Sequence, residues 1–206
     1  VMLFTDTYKT IDNVAEGLFK DRGSRFIAVA IPVTSQEEIK TRLGELRKEY
    51  HDARHHCYAW VLAPDRQAWR VNDDGEPSGT AGRPILAQIN ARELTNVLVV
   101  VIRYFGGTLL GVNGLINAYR TAASDALDHA IVREKHITER WLLTFPYISM
   151  NDVMKVLRDE GCRQTEHNYT GNEVTLGISF RASVSEQVSG RLNKIPGLQM
   201  KWLSTE

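Results

Sequence analysis

The chemically densest stretch of the chain is VNDDGEPSGTAGRP, residues 71–84. It sets Asp73, Asp74 and Glu76 among three glycines, two prolines, Ser78 and Thr80. Gly75, Gly79 and Gly82 allow positive φ or a close approach of backbone. Thr80 or Ser78 can cap a following helix, and Pro84 suits its first turn. A glycine-rich bend that runs into a helix start offers N–H groups and the positive end of the helix dipole to a phosphate or carboxylate. The carboxylates oppose a polyanion unless a cation offsets them, and Arg83 is the nearest. No lysine follows the last glycine, so this is not a Walker loop, and it lacks the G-x-G-x-x-G pattern. Three roles stay open for Asp74 and Glu76: a rigid turn bonded to backbone amides, a general base, or a Mg²⁺ holder.

A second stretch repeats the design. RYFGGTLLGVNG, residues 103–114, ends a strand with an arginine and two aromatics, then passes through Gly106 and Gly107 into a helix. If the two bends face one recess, Arg103 supplies charge and Tyr104 or Phe105 a stacking surface. In a second reading, compatible with the first, Arg103 pairs with Asp74 or Glu76 and pins the loops together. A third stretch, ARHHCYAW at 53–60, puts His55 and Cys57 on one face of a strand and His56 on the other. Two ligands on one face fall short of the three or four that zinc takes, so no metal is expected at this stretch, and a histidine lining the recess is the better reading; no cofactor is expected for the chain. The candidate anion- or nucleic-acid-binding set is Arg25, His56, Ser78, Gly79, Thr80, Gly82, Arg83, Arg103, Tyr104, Gly106 and Gly107. Asp74, Glu76 and His55 stand beside it in structural or acid–base roles.

The elements that must hold these residues follow from periodicity. Residues 13–31 read as a hairpin around Asp21, Arg22 and Gly23. Ser35 with Glu38 is a capping box, followed by Ile39, Leu43, Leu46 and Tyr50 at helical spacing. Residues 57–62 and 68–71 read as strands, and a short helix is expected from about 80 to 92. NVLVVVIRYF, 96–105, has the pattern of a strand buried on both faces. A long helix follows, with Leu115, Tyr119, Ala122, Ala123 and Ala126 on one stripe, small enough to sit close to a sheet. After Glu134 the order is β-α-β-β-α-β, with a second capping box expected at Ser183 and Glu186. That order favours a ferredoxin-like sandwich. The fold class is α+β, with domains at 1–134 and 135–206. In the second domain Arg140, Arg158, Arg163, Arg181 and Lys201 are scattered and read mostly as solvated charges, while the free face of its sheet is open to a protein partner.

Bulk properties narrow the function classes. Twenty-five basic residues balance 25 acidic ones across 206 residues, and neither domain is biased: 16 against 17 before residue 135, and 9 against 8 after it. Any basic surface must therefore be local. No apolar run approaches membrane-spanning length. Residues 1–10 lack the pattern of a signal peptide, and two cysteines make no disulfide framework, so a cytoplasmic setting is expected.

DDGEPSGTAGRPIL followed by VVVIRYFGGTLLGVNGLINAY closely resembles the signature of the IMPACT/YigZ family, with GSRF at 23–26 and ARHHCYAW matching its smaller blocks. The resemblance covers the first domain at least to Tyr119, and the second domain is similar to the small carboxy-terminal domain of the bacterial members. It implies that the first domain takes the fold of the second domain of a small-subunit ribosomal protein, seen also in elongation factor G. It implies for the second domain the ferredoxin-like carboxy-terminal fold of that factor. The chain departs from the pattern at Leu110, where relatives often carry lysine, and at Val112 and Asn113. The implied function is a non-catalytic RNA- or ribosome-binding factor connected with translation. An enzyme acting on a phosphorylated small molecule through Asp74 and Glu76 is the first alternative, and a protein-interaction module the second.

Overall fold

The computed structural model describes residues 6–206, so the first half of the segment read above for a leader lies outside the described residues. The chain divides into two compact units, Lys9–Lys135 and a second made of residues 6–8 with His136–Glu206. Both combine helices with antiparallel sheets.

In the larger unit, β2 (Ala15–Asp21), β3 (Ser24–Pro32), β4 (His55–Leu62), β5 (Ala68–Asn72) and β6 (Val97–Tyr104) form an antiparallel sheet in the order β2-β3-β6-β4-β5. As its unbroken apolar run predicts, β6 is central, and Val97 to Ile102 are wholly buried. One face carries helix α1 (Gln36–Glu49), whose Ile39, Leu43 and Leu46 pack on Val29, Ile31, Trp60 and Val100. Half of its capping box is present: Ser35 Oγ accepts from the Glu38 N–H, while the Glu38 carboxylate accepts from the Thr34 N–H, one residue before the cap. Such a cap contributes about 1 kcal/mol.

The opposite face carries α2 (Gly82–Ala91) and α3 (Gly111–Asp128). The alanine stripe of α3 brings it so close to β2 that a Cβ on Gly17 would stand 2.2 Å from the Ala126 backbone nitrogen. Asp125 then accepts from the Leu18 N–H at 2.8 Å, satisfying a donor of the edge strand. Two short strands that periodicity did not reveal, β1 (Thr7–Ile11) and β7 (Val132–His136), pair as a separate ribbon.

The second unit has the expected order: β8 (Thr138–Pro146), α4 (Met150–Asp159), β9 (Arg163–Thr170), β10 (Glu173–Arg181), α5 (Ser185–Leu192) and β11 (Gln199–Thr205). Its sheet runs β11-β8-β10-β9, antiparallel throughout. Leu143, Phe145, Leu176 and Ile178 point to one face and meet Val153, Leu157, Val188 and Leu192 of the helices. The second capping box is absent. A 3₁₀ turn at Ala182–Val184 precedes α5, whose cap is Val184 without a side-chain bond, and Ser183 stands near Asp6, where its hydroxyl helps to hold that carboxyl below its ordinary range. No helix of the described residues is long and apolar enough to cross a membrane.

Candidate functional site

The loop after β5 is a closed device built around Asp73. Its carboxylate accepts from the Gly79 N–H at 2.8 Å through one oxygen, and from the Ala81 and Gly82 N–H groups at 3.1 and 2.8 Å through the other. The amides expected to receive a foreign anion are thus filled by an internal one, because Asp73 lies at the end of the strand that α2 starts against. The cap of α2 is likewise Asp73, not Ser78 or Thr80: the Thr80 hydroxyl donates to the Pro77 carbonyl at 2.7 Å, and Ser78 is exposed. Positive φ at Asp74 (41°) and Gly75 (88°) makes the turn, which the Asn72 side chain holds by accepting from the Asp74 N–H.

Glu76 points inward, 9% exposed, and one of its oxygens is shared. Arg103 Nη1 donates to it at 2.5 Å and the Tyr119 hydroxyl at 2.8 Å, while His55 Nε2 stands 4.0 Å away. His55 and Arg103 are cross-strand neighbours, which places both on the face beneath the loop. Arg103 is 6% exposed and lies against the Phe26 and Phe105 rings, with its Nε unpartnered. Of the two readings of Arg103, pairing with Glu76 is the one found. The expected phosphate contact is corrected, since the guanidinium is buried and committed to the loop.

His55 Nδ1 bonds the Asp74 carbonyl at 2.8 Å, so this nitrogen carries the proton. His56 lies on the opposite face, buried, with its backbone N–H donating to the Asp74 carboxylate at 2.7 Å. Burial lowers the His56 imidazole pKa, leaving the neutral ring favoured. Cys57 contacts the Asp73 carbonyl at 3.0 Å and the Tyr119 hydroxyl at 3.3 Å. Burial pushes the Cys57 thiol and the Tyr119 phenol up, so both stay protonated at neutral pH. This is an internally bonded polar knot rather than an exposed acid–base pair. Among the described residues no group of three His, Cys, Asp or Glu is placed to hold a metal ion.

The second bend is open. Gly106 is pressed on the turn of the β2–β3 hairpin: a Cβ there would lie 1.9 Å from the Gly23 carbonyl carbon, and the Gly106 N–H donates to Ser24 Oγ at 3.1 Å. Beyond it the chain stands in solvent, with Leu109 82% exposed. Helix α3 begins at Gly111 (φ 71°) behind Leu110, which has helical dihedrals and makes no side-chain cap. On the near side, Lys20, Asp21, Arg22, Arg25 and Tyr104 line a shallow hollow of about 510 Å³. Lys20 and Arg25 are cross-strand partners, and the Arg25 guanidinium lies over the Tyr104 ring, 4.7 Å from its centroid. The Tyr104 hydroxyl donates to Asp52 at 2.7 Å, which fixes the ring and holds the Asp52 carboxyl below its usual range.

The expected site residues therefore separate. Arg25, Tyr104, Gly106 and Gly107 belong to the open end. Asp74, Glu76, His55 and Arg103 belong to the knot, Gly79 and Gly82 lie under Asp73, and Arg83 is exposed on the first turn of α2. The shared recess lined by free amides of both bends does not form, because one set of amides is satisfied internally. Asp73 and Tyr119 were missed as members of the knot, and Lys20 and Arg22 as members of the hollow. Only Tyr119 had a signal, as a hydroxyl on the buried stripe of a helix that needs a partner.

Comparison with known proteins bears on the same region. The family model of the Impact N-terminal domain matches residues 22–127, which hold the knot, the open bend and all of the hollow but Lys20 and Asp21. The IMPACT family member YvyE of Bacillus subtilis (strain 168) is 32% identical over 181 residues, covering 88% of this chain and 81% of the relative. YigZ of Escherichia coli (strain K12) is 39% identical over 136 residues, 65% of this chain and 67% of the relative. The mouse protein IMPACT is 38% identical over 104 residues, 48% of this chain and 32% of the relative. A solved structure described only as that of a hypothetical protein superposes with a TM-score of 0.75 at 30% identity, covering 97% of this chain and 98% of that one. Matched through the whole of the knot and along most of its length by bacterial relatives, the chain belongs to the IMPACT family.

Proposed function

We propose that this protein is a non-catalytic RNA- or ribosome-binding factor connected with translation, acting in the cytoplasm. The observation that carries the reading is the open hollow lined by Lys20, Asp21, Arg22 and Arg25, with the Arg25 guanidinium over the Tyr104 ring, on the hairpin turn that Gly106 presses against five residues before the uncapped start of α3. Cations can take phosphates there, an aromatic face can take a base, and exposed helix N–H groups can take a further anion. The cations are local, as a chain without net charge requires. The family name and the order of the second sheet support the same reading. That order, β11-β8-β10-β9, is the one a ferredoxin-like sandwich would have, and the larger unit would then be the ribosomal-protein and elongation-factor fold. No observation favours an enzyme, because the carboxylates proposed for catalysis are bonded within the knot.

The test is association with ribosomes by co-sedimentation and with labelled RNA by anisotropy, across a salt series. Binding should fall steeply between ~50 and ~200 mM salt. Arg22→Ala and Arg25→Ala should each reduce the salt slope by about one, and Tyr104→Ala should weaken binding with the slope unchanged. Absence of any RNA or ribosome association at low salt would refute the reading.

A further inference from the structure

The second unit carries an independent constellation on the face of its sheet away from the helices. Arg140 of β8 pairs in register with Ser179 of β10, and Ser179 pairs with Arg163 of β9. Two arginines therefore flank one hydroxyl in a single row across three strands. Adjacent strands lie about 4.8 Å apart, so the two backbones are separated by about 10 Å, within reach of two guanidiniums closing on one small anion. Two residues along β10 is Gly177. There the register with β9 shifts, and the extra residue brings Thr165 Oγ1 to 2.5 Å from where a Gly177 Cβ would sit. A bulge redirects a side chain in this way. It puts a second hydroxyl where a larger residue on β10 would have filled the face.

Arg140, Arg163, Thr165, Ser179 and Thr138 line one hollow of about 560 Å³ together with Glu206. Arg163 has no ion pair among the described residues, whereas Arg140 is paired with Glu206 at 3.2 Å. The same Glu206 oxygen accepts from the Ser204 hydroxyl at 3.3 Å, and Ser204 is the next member of the row. The chain's own carboxylate is thus held as an oxyanion would be, by an arginine and a hydroxyl, at the margin of a hollow otherwise lined mainly by donors.

We propose that this face is a phosphate-binding site, with Arg140 and Arg163 clamping one phosphate over the Ser179 hydroxyl and Glu206 acting as an internal competitor. Guanidinium pairs suit phosphate because the planar donor fork matches two of its oxygens. The phosphate belongs either to a nucleic-acid strand or to a phosphorylated small molecule, and the site is distinct from the Arg25–Tyr104 hollow.

The test uses the full chain with inorganic phosphate, uridine 5′-monophosphate and a labelled oligouridine, followed by amide shifts of Ser179 and Arg163 in NMR and by anisotropy. Saturable shifts with the mononucleotide assign a small ligand, and shifts with the oligonucleotide alone assign a strand. Arg140→Ala and Arg163→Ala should each weaken the responding probe about tenfold, through loss of charge-assisted bonds. Glu206→Gln should tighten it about threefold by removing a competing charge. All three side chains lie on an open face, and Arg163→Lys, which keeps the charge but loses the fork, should bind between wild type and alanine. No shift with any probe, or unchanged affinity in the Arg140→Ala/Arg163→Ala double variant, overturns the inference. RNA binding that is lost in Arg25→Ala and kept in that double variant would overturn it and leave the reading of the larger unit standing. Unchanged binding in Arg25→Ala with loss in the double variant would do the reverse.

Discussion

Two bends of the larger unit share one local recipe, strand end to glycines to helix start, and reach opposite states. At 73–82 Asp73 engages the amides of Gly79, Ala81 and Gly82, the carboxylate of Glu76 is buried against Arg103, and the loop is stitched to β4, β6 and α3. At 106–111 the helix start has no cap, the loop stands in solvent, and cations gather beside it. The difference comes from a single residue type at a single place. Asp73 supplies the first helix with an internal anion, and no residue supplies the second. An internal anion makes a bend rigid, and its absence leaves one able to accept a ligand.

The comparison is broken most severely at the knot. Glu76→Ala should leave Arg103 buried without a partner and lower unfolding free energy by about 3–5 kcal/mol, read from the urea midpoint. Glu76→Gln should lose less, since it can still accept from Tyr119. Asp73→Ala should come next, at about 2 kcal/mol or more, because a charged cap to several N–H groups disappears. It should also make the first bend resemble the second, so phosphate or sulfate at millimolar level should raise the melting temperature of Asp73→Ala more than that of wild type. Equal responses would deny that the Asp73 carboxylate occupies an anion site. Gly107→Ala should lose only about 1 kcal/mol: φ is 86°, but nothing lies within 4 Å of the new methyl group. Gly106→Ala should lose clearly more, because backbone blocks the methyl.

The smallest effect is a pH slope. The folded-state pKa of His56 lies below its unfolded value, mainly through burial. Its contribution is therefore fully present above the unfolded pKa and is lost as pH falls through the folded one. Wild type should lose stability on acidification below about pH 6.5, by no more than about 1.4 kcal/mol per pH unit from this group. His56→Gln should remove that part of the slope, as measured by denaturation at a series of pH values.

Much of this was legible in the sequence because it is locally determined. The Ser35–Glu38 cap lies within four residues, the burial of β6 shows in its unbroken apolar run, and the close approach of α3 shows in its alanines. What was not legible is determined at a distance. Asp73 reaches amides six to nine residues ahead through a turn whose geometry no periodicity encodes. Arg103 had two possible acidic partners, and only the path of the loop selects Glu76. VREKH, fully exposed, becomes a strand only because residues 7–11 lie beside it. Arg140, Ser179 and Arg163 are far apart along the chain and form a row only through cross-strand register.

The contact between Gly23 and Gly106 also dictates how the protein can be modified for such experiments. Lengthening the hairpin tip by one residue, or attaching a fluorophore there, would wedge apart two segments whose main chains already touch, and would disturb the very surface being assayed. The turn at Gly171 has nothing within 4 Å of a side chain placed on it. A reporter dye or affinity tag is better placed at that turn, on a residue that tolerates its φ of 62° and leaves the Asn172 carbonyl free to hold the Tyr147 N–H.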